Sequence, residues 1–225
     1  MLASQEVRWF LKGPIKAYPD LKSWVETSDP IKKRETALPP KWTGRLDDKP
    51  DAYLIVPDHP DMGIKWREGQ LQIKGLQSAL GTQLFTGRHK GKVERWIKWS
   101  YQGALIKQAF SRWFEKTEAG GPVIVEVSKT RCLRKVRMDP QTGDIQEVSA
   151  EHLVDRGGNL EVTELSLGNR SFCSVAFETF PDDSEMHGAF TRFVNAFLQK
   201  LHGVELVESN SMSYPAWLLE AAGHN

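Results

Sequence analysis

The sequence predicts an α+β fold: a closed or nearly closed antiparallel β-barrel with helices packed outside. Three observations carry that expectation. Extended segments with period-two patterning recur from EVRWFL near the start to SFCSVAFETF at 171–180. Only two segments hold a clear helical period, and they do not alternate with strands as βαβ units would. The connections between several strands are short and polar, as at Glu68–Gly69–Gln70 and Gly168–Asn169, which suits hairpins.

The elements follow in order. In the first strand Val7, Trp9 and Leu11 share one face, and Glu6, Arg8, Phe10 and Lys12 the other. Eight of the twelve prolines then fall within the first sixty residues. Prolines that dense oppose long helices and central strands. Residues 13–60 are therefore expected to be a mostly irregular excursion, with a turn or two of helix near Leu21–Glu26. MGIKWREGQLQIK reads as a hairpin whose second strand runs through Lys74, and VERWIKWSY (93–101) as a further strand. The stripe Leu105, Ile106, Ala109, Phe110, Trp113, Phe114 predicts a helix over 104–118, stopped by Gly120, Gly121 and Pro122. VIVEVSKTRCLRKVRM (123–138) is a long strand, DPQTGD a turn, and IQEVSA extended again. LEVTELSL and SFCSVAFETF form the last hairpin. Asp182, Asp183 or Ser184 caps a second helix with stripe Met186, Phe190, Phe193, Val194, Phe197, Leu198, Leu201, ended by Gly203. SMSYPAWLLEA is an apolar tail expected to pack back on the body.

At 225 residues, 40% hydrophobic and 26% charged, the chain suits a single globular domain spanning 1–225. A net charge of +1 provides no global field to draw it onto nucleic acid or an anionic membrane, so any anion site must be a local concentration of charge. Two cysteines, Cys132 and Cys173, sit in no CxxC pair and read as interior thiols. The N-terminal MLASQEVRWFLKG has no apolar run suited to a signal peptide, and no stretch reaches the ~20 apolar residues of a membrane span. The expected compartment is cytoplasmic.

Cations recur on one strand face. Lys65 and Arg67 oppose Ile64 and Trp66, Lys74 opposes Ile73, and Lys129 with Arg131 opposes Thr130 and Cys132. A half-exposed sheet with a solvated face would also look like this. Against that reading, cations far outnumber carboxylates on these faces while the chain is nearly neutral. Closing the sheet would also make them converge. Such a lumen must hold water, counter-ions or a polyanion, because like charges in a low dielectric repel strongly.

In order and content these segments resemble the triphosphate tunnel metalloenzyme, or CYTH, superfamily. The resemblance rests on EVRWFL, DAYL followed by IKWREGQLQIK, VSKTR in the long strand, and ExxE with FETF in the last hairpin. It implies a closed antiparallel barrel whose lumen binds a triphosphate through Lys and Arg. It further implies carboxylates that hold Mg²⁺ or Mn²⁺ and a metal-dependent triphosphatase activity. Carried over, Lys65, Arg67, Lys74, Lys129 and Arg131 are phosphate contacts. Arg95 or Lys98 adds another, with the register of 93–101 leaving both open. The family's first strand reads E-x-E-x-K; here those positions are Glu6, Arg8 and Phe10. Glu6 and Glu178 are then the metal ligands, with Glu161 and Glu164 as weaker candidates, and Arg8 joins the phosphate contacts. A cation in a ligand position weakens metal binding and strengthens direct anion binding. The expected partner is a phosphorylated small molecule or inorganic polyphosphate, either hydrolysed with a metal or, alternatively, held by a non-catalytic binding or interaction module.

Other chemistries have less support. The six histidines show no HxxxH or HxH spacing for zinc, and no GxSxG, Walker A or GxGxxG motif occurs. RHKGK (88–92) beside Trp96 and Trp99 imitates a nucleic-acid patch, but a Gly-flanked charged loop is ordinarily just solvated.

Overall fold

Eight antiparallel strands close into a barrel, with helices against its outer wall and inside one end. The computed structural model describes residues 2–27, 42–43, 50–103, 106, 108, 112 and 123–223. The strands are β1 (Leu2–Lys12), β2 (Trp42–Thr43), β3 (Asp51–Ile55), β4 (Met62–Arg67), β5 (Gln70–Phe85), β6 (His89–Gln102), β7 (Val123–Met138), β8 (Ile145–Val148), β9 (Gly157–Leu167) and β10 (Arg170–Phe180). The helices are α1 (Pro19–Thr27), α2 (Ser184–Leu198) and α3 (Tyr214–Ala222). Around the barrel the order is β7, β3, β4, β5, β6, β1, β10, β9 and back to β7.

Closure depends on β7. Its first part pairs with β3 from Val123 to Val127, and Ser128–Arg137 pairs with β9 on the other edge. β2 and β8 extend the edge of β7 beyond β3. The β4–β5 hairpin turns on Glu68 and Gly69, both at positive φ (49° and 81°), the two-residue geometry that matches strand twist. β5 runs past the expected end at Lys74 to Phe85, with register shifts at Leu76/Ser78 and Ala79/Gly81. Such bulges increase local twist, which helps a long strand curl.

The expected faces hold. Val7, Trp9 and Leu11 of β1 and Cys173, Val175 and Phe177 of β10 point outward into the main core. There they meet α2, whose Met186, Phe190, Phe193, Val194, Phe197 and Leu198 are all buried. Asp183 caps that helix by accepting from the Met186 amide at 3.0 Å. Burying each large apolar side chain contributes about 1.5–3 kcal/mol, so this interface dominates the fold's stability. Beneath it Arg134 is fully buried and makes a two-bond pair with Glu147, at 2.8 and 2.6 Å.

Part of the irregular expectation for 13–60 needs correcting. Asp51–Ile55 is a barrel strand buried on both sides, and Pro19–Thr27 is a helix. Pro50 immediately precedes the strand instead of interrupting it, where its missing N–H costs no ladder bond. Residues 28–41 and 44–49 lie outside the described residues, as does the predicted 104–118 helix apart from Ile106, Gln108 and Arg112.

The apolar tail packs back as expected, and it does so inside the barrel. Ser213 caps α3 through the Ala216 amide at 3.2 Å, with Pro215 in the first turn. Trp217, Leu218 and Leu219 then fill one barrel end against Phe10, Ile55, Val127 and Leu165. Trp217 lies flat on Phe10 (centroids 4.6 Å apart, 1° between planes). The lumen is blind at that end.

Candidate functional site

Above the α3 plug the barrel encloses a cavity of about 940 Å³. Its wall brings together every side chain expected to bind phosphate. Lys65 and Arg67 come from β4, Lys74 from β5, Lys98 from β6, Lys129 and Arg131 from β7, and Arg8 from β1. Glu6 and Glu178 share the same wall. The strand period explains the convergence: alternate residues of each strand face inward, and closure aims them at one another. The open choice in β6 also resolves, because Lys98 lines the lumen. Arg95 points outside, to Asp182 at 3.2 Å and to His187.

Seven Lys and Arg side chains line the cavity against five carboxylates, so the wall is net positive although the chain is nearly neutral. The charges form two groups. In one, Asp51 lies 3.1 Å from Lys129 Nζ, 3.6 Å from Lys65 Nζ and 3.6 Å from Arg67 Nε. In the other, Arg8 bonds Glu6 (3.1 Å) and Glu161 (3.3 Å), Lys74 bonds Glu6 (2.9 Å) and Glu178 (3.5 Å), and Arg131 bonds Glu161 (3.2 Å). Among the described residues no carboxylate lies within ion-pair distance of Lys98.

The titration behaviour follows from crowding. Burial would raise the Glu6 carboxyl, but Lys74 and Arg8 overcome it and hold the group at about 2. Burial opposes Glu161 in the same way, and Arg8, Arg131 and Lys129 keep it well below the usual carboxylate range. The lysines respond in the opposite sense. Burial lowers Lys129 to about 8 despite Asp51. Burial, then the neighbouring Lys129 charge, pushes Lys65 well below its ordinary value. Lys98 is lowered by burial and then by Lys74, with Glu178 opposing the shift and Arg67 and Arg131 adding to it. In all three lysines burial disfavours the ammonium form, a cost that a bound anion would offset.

Several site groups have little or no signal in the sequence. Asp51, the hub of one charge group, begins a strand hidden in the proline-rich region, although the parity of Asp51, Tyr53 and Ile55 in DAYLI carries a usable signal. Tyr53 and Tyr214 stack at 5.0 Å at the blind end, and Lys129 Nζ lies 4.9 and 4.4 Å from their ring centres while donating to the Tyr53 hydroxyl. Tyr214 has no such signal, since nothing in SMSYPAWLLEA indicates that it enters a barrel.

The expected metal ligands do not fit a divalent ion. One Glu6 oxygen is taken by Arg8 and the other by Lys74, which also bridges to Glu178. No cluster of three acidic, His or Cys groups able to hold a metal occurs among the described residues. Magnesium and manganese need several oxygen ligands free to turn toward them, and here an ammonium already holds those oxygens.

No protein-family model matches the chain, and no curated protein matches it. Among solved structures it is similar to a conserved hypothetical protein from Pyrococcus furiosus, with 13% identity, a TM-score of 0.39, and coverage of 94% of this chain and 98% of that one. It is also similar to a Pyrococcus horikoshii protein, with 16% identity, a TM-score of 0.43, and coverage of 96% and 99%. At these scores neither bears on activity, and the barrel stands on the chain's own strand pairing. No described helix is long and apolar enough to cross a membrane.

Proposed function

We propose that this chain is a divergent tunnel domain of the CYTH type that captures a phosphate-type polyanion, such as tripolyphosphate or a polyphosphate end, in its barrel lumen. The observation that carries the reading is the convergence of seven cations from five strands on one blind cavity, where among the described residues no carboxylate lies within ion-pair distance of Lys98. Arg8, Arg67 and Arg131 offer planar forks suited to phosphate oxygens, and the lysines act as point charges. Lys129 sits over the aromatic floor of Tyr53 and Tyr214, so the innermost phosphate of the ligand would rest against its ammonium. Capture, not hydrolysis, is the proposed activity, because the carboxylates that would hold a metal are engaged by Arg8 and Lys74.

Calorimetric titration with phosphate, pyrophosphate and tripolyphosphate tests it. Affinity should rise with the number of phosphates, and Lys98→Ala should weaken tripolyphosphate about tenfold, equivalent to ~1.4 kcal/mol. Equal, weak binding of all three ligands, unchanged by Lys98→Ala, would rule the reading out.

A further inference from the structure

Glu6 and Glu178 are direct cross-strand partners in the β1–β10 pair, and both line the cavity. Two carboxylates placed opposite each other on one face repel, and in a buried site both stay ionised only with a cation beside them. The chain supplies one. Lys74 Nζ lies 2.9 Å from Glu6 Oε2 and 3.5 Å from Glu178 Oε1, while Arg8 Nε holds the other Glu6 oxygen at 3.1 Å. The Lys74 position is fixed by ladder pairing with Gly63 on one side and Lys98 on the other.

We propose that the Lys74 ammonium is a built-in counter-cation standing where a tunnel enzyme would place its divalent metal, so that the lumen takes its anion without a bridging metal ion. The anion half of this statement rests on the proposed function; the metal half does not. An ammonium has three donors, and the two directed at Glu6 and Glu178 leave one for an incoming phosphate oxygen. A tethered positive charge between these carboxylates also repels a divalent ion from the oxygens it would need. The resulting counter-charge is covalently tethered and insensitive to metal supply, but it lacks the doubly charged centre that phosphoryl transfer uses to neutralise developing charge.

The test separates the two halves. Without any anion, the full chain is titrated with Mn²⁺ and free Mn²⁺ is followed by electron paramagnetic resonance. Wild type should show no lumen binding. Lys74→Gln should gain one Mn²⁺ site, at least about tenfold tighter than any residual binding by wild type, since the repelling charge is gone. Adding Glu178→Gln to that variant should remove the gain. Wild-type Mn²⁺ binding that disappears in Glu178→Gln overturns the inference, as does a folded Lys74→Gln that binds Mn²⁺ no better than wild type. If circular dichroism shows that Lys74→Gln does not fold, the wild-type and Glu178→Gln titrations still decide. In a second arm, wild type is titrated with tripolyphosphate in EDTA: undiminished binding supports the inference, and binding that requires restored Mg²⁺ or Mn²⁺ contradicts it. Failure of tripolyphosphate under every condition would remove the proposed function and leave the Mn²⁺ titration to judge the lysine by itself.

Discussion

Lys129 concentrates the physics of the site in one side chain. It lies against Asp51 at 3.1 Å and over two tyrosine rings, yet burial still lowers it to about 8. An unfolded lysine titrates near 10.4, so between about 8 and about 10.4 the unfolded chain binds more protons than the folded one. Stability of the empty protein should therefore rise with pH across that window. The proposed anion binding would need the ammonium and should change the other way, weakening as pH rises through about 8. Parallel denaturation and tripolyphosphate titrations from pH 7 to 10 check both signs, and Lys129→Gln should flatten the binding curve. Glu161 makes a complementary case, because it competes with any anion for Arg8 and Arg131 at 3.3 and 3.2 Å. Glu161→Gln should tighten tripolyphosphate binding while costing about 1–3 kcal/mol of stability, since two part-buried guanidiniums lose a charged acceptor. A variant that binds more weakly would show that Glu161 orients those arginines for the ligand instead of masking them.

At the level of elements, α3 determines that the tunnel is a blind cavity. Trp217 stacks on Phe10 and meets Phe172 edge-on at 5.2 Å, so its removal opens a large void at the barrel end. Trp217→Ala should cost about 3–5 kcal/mol by urea denaturation, whereas Leu84→Ala, at an exposed position of β5, should fall within about 0.5 kcal/mol. Gly91 is a second sensitive point. A Cβ there would lie 2.4 Å from the Trp9 ring and 2.5 Å from Val7, both fixed in the main core. Gly91→Ala should destabilise by about 1–3 kcal/mol, because the strand must shift to admit a methyl group. The same contact explains RHKGK: His89 is buried and accepts from the Leu206 amide at 3.2 Å, so the run is a hairpin strand, not a free basic loop.

For the whole molecule, what the sequence makes legible is parity, and what it hides is closure. Alternation alone separates Glu6 and Arg8, which line the cavity, from Val7 and Trp9, which pack in the main core, and it separates Lys65 and Arg67, which reach Asp51, from Ile64 and Trp66, which pack with Leu54 and Leu71. It does not reveal that β7 pairs with β3 through one part and β9 through another, since pairing partners leave no trace in a strand's own pattern. Nor does it select Lys98 over Arg95, which differ by an odd number of residues in a strand whose register is set by its neighbours. Asp51 is obscured by the prolines around it, and α3 by the ordinary look of an apolar tail.

On the proposed function, a phosphate-type anion must stabilise the converging cations, and the fold with them. The melting temperature of the full chain, with and without tripolyphosphate, reads this for wild type and for Lys129→Ala combined with Arg131→Ala. Ligand at about 100 times its dissociation constant should stabilise wild type by about 2.7 kcal/mol, and the double variant should lose that shift. An unshifted wild type, or a double variant that keeps the full shift, would show that these cations serve the barrel and not a ligand.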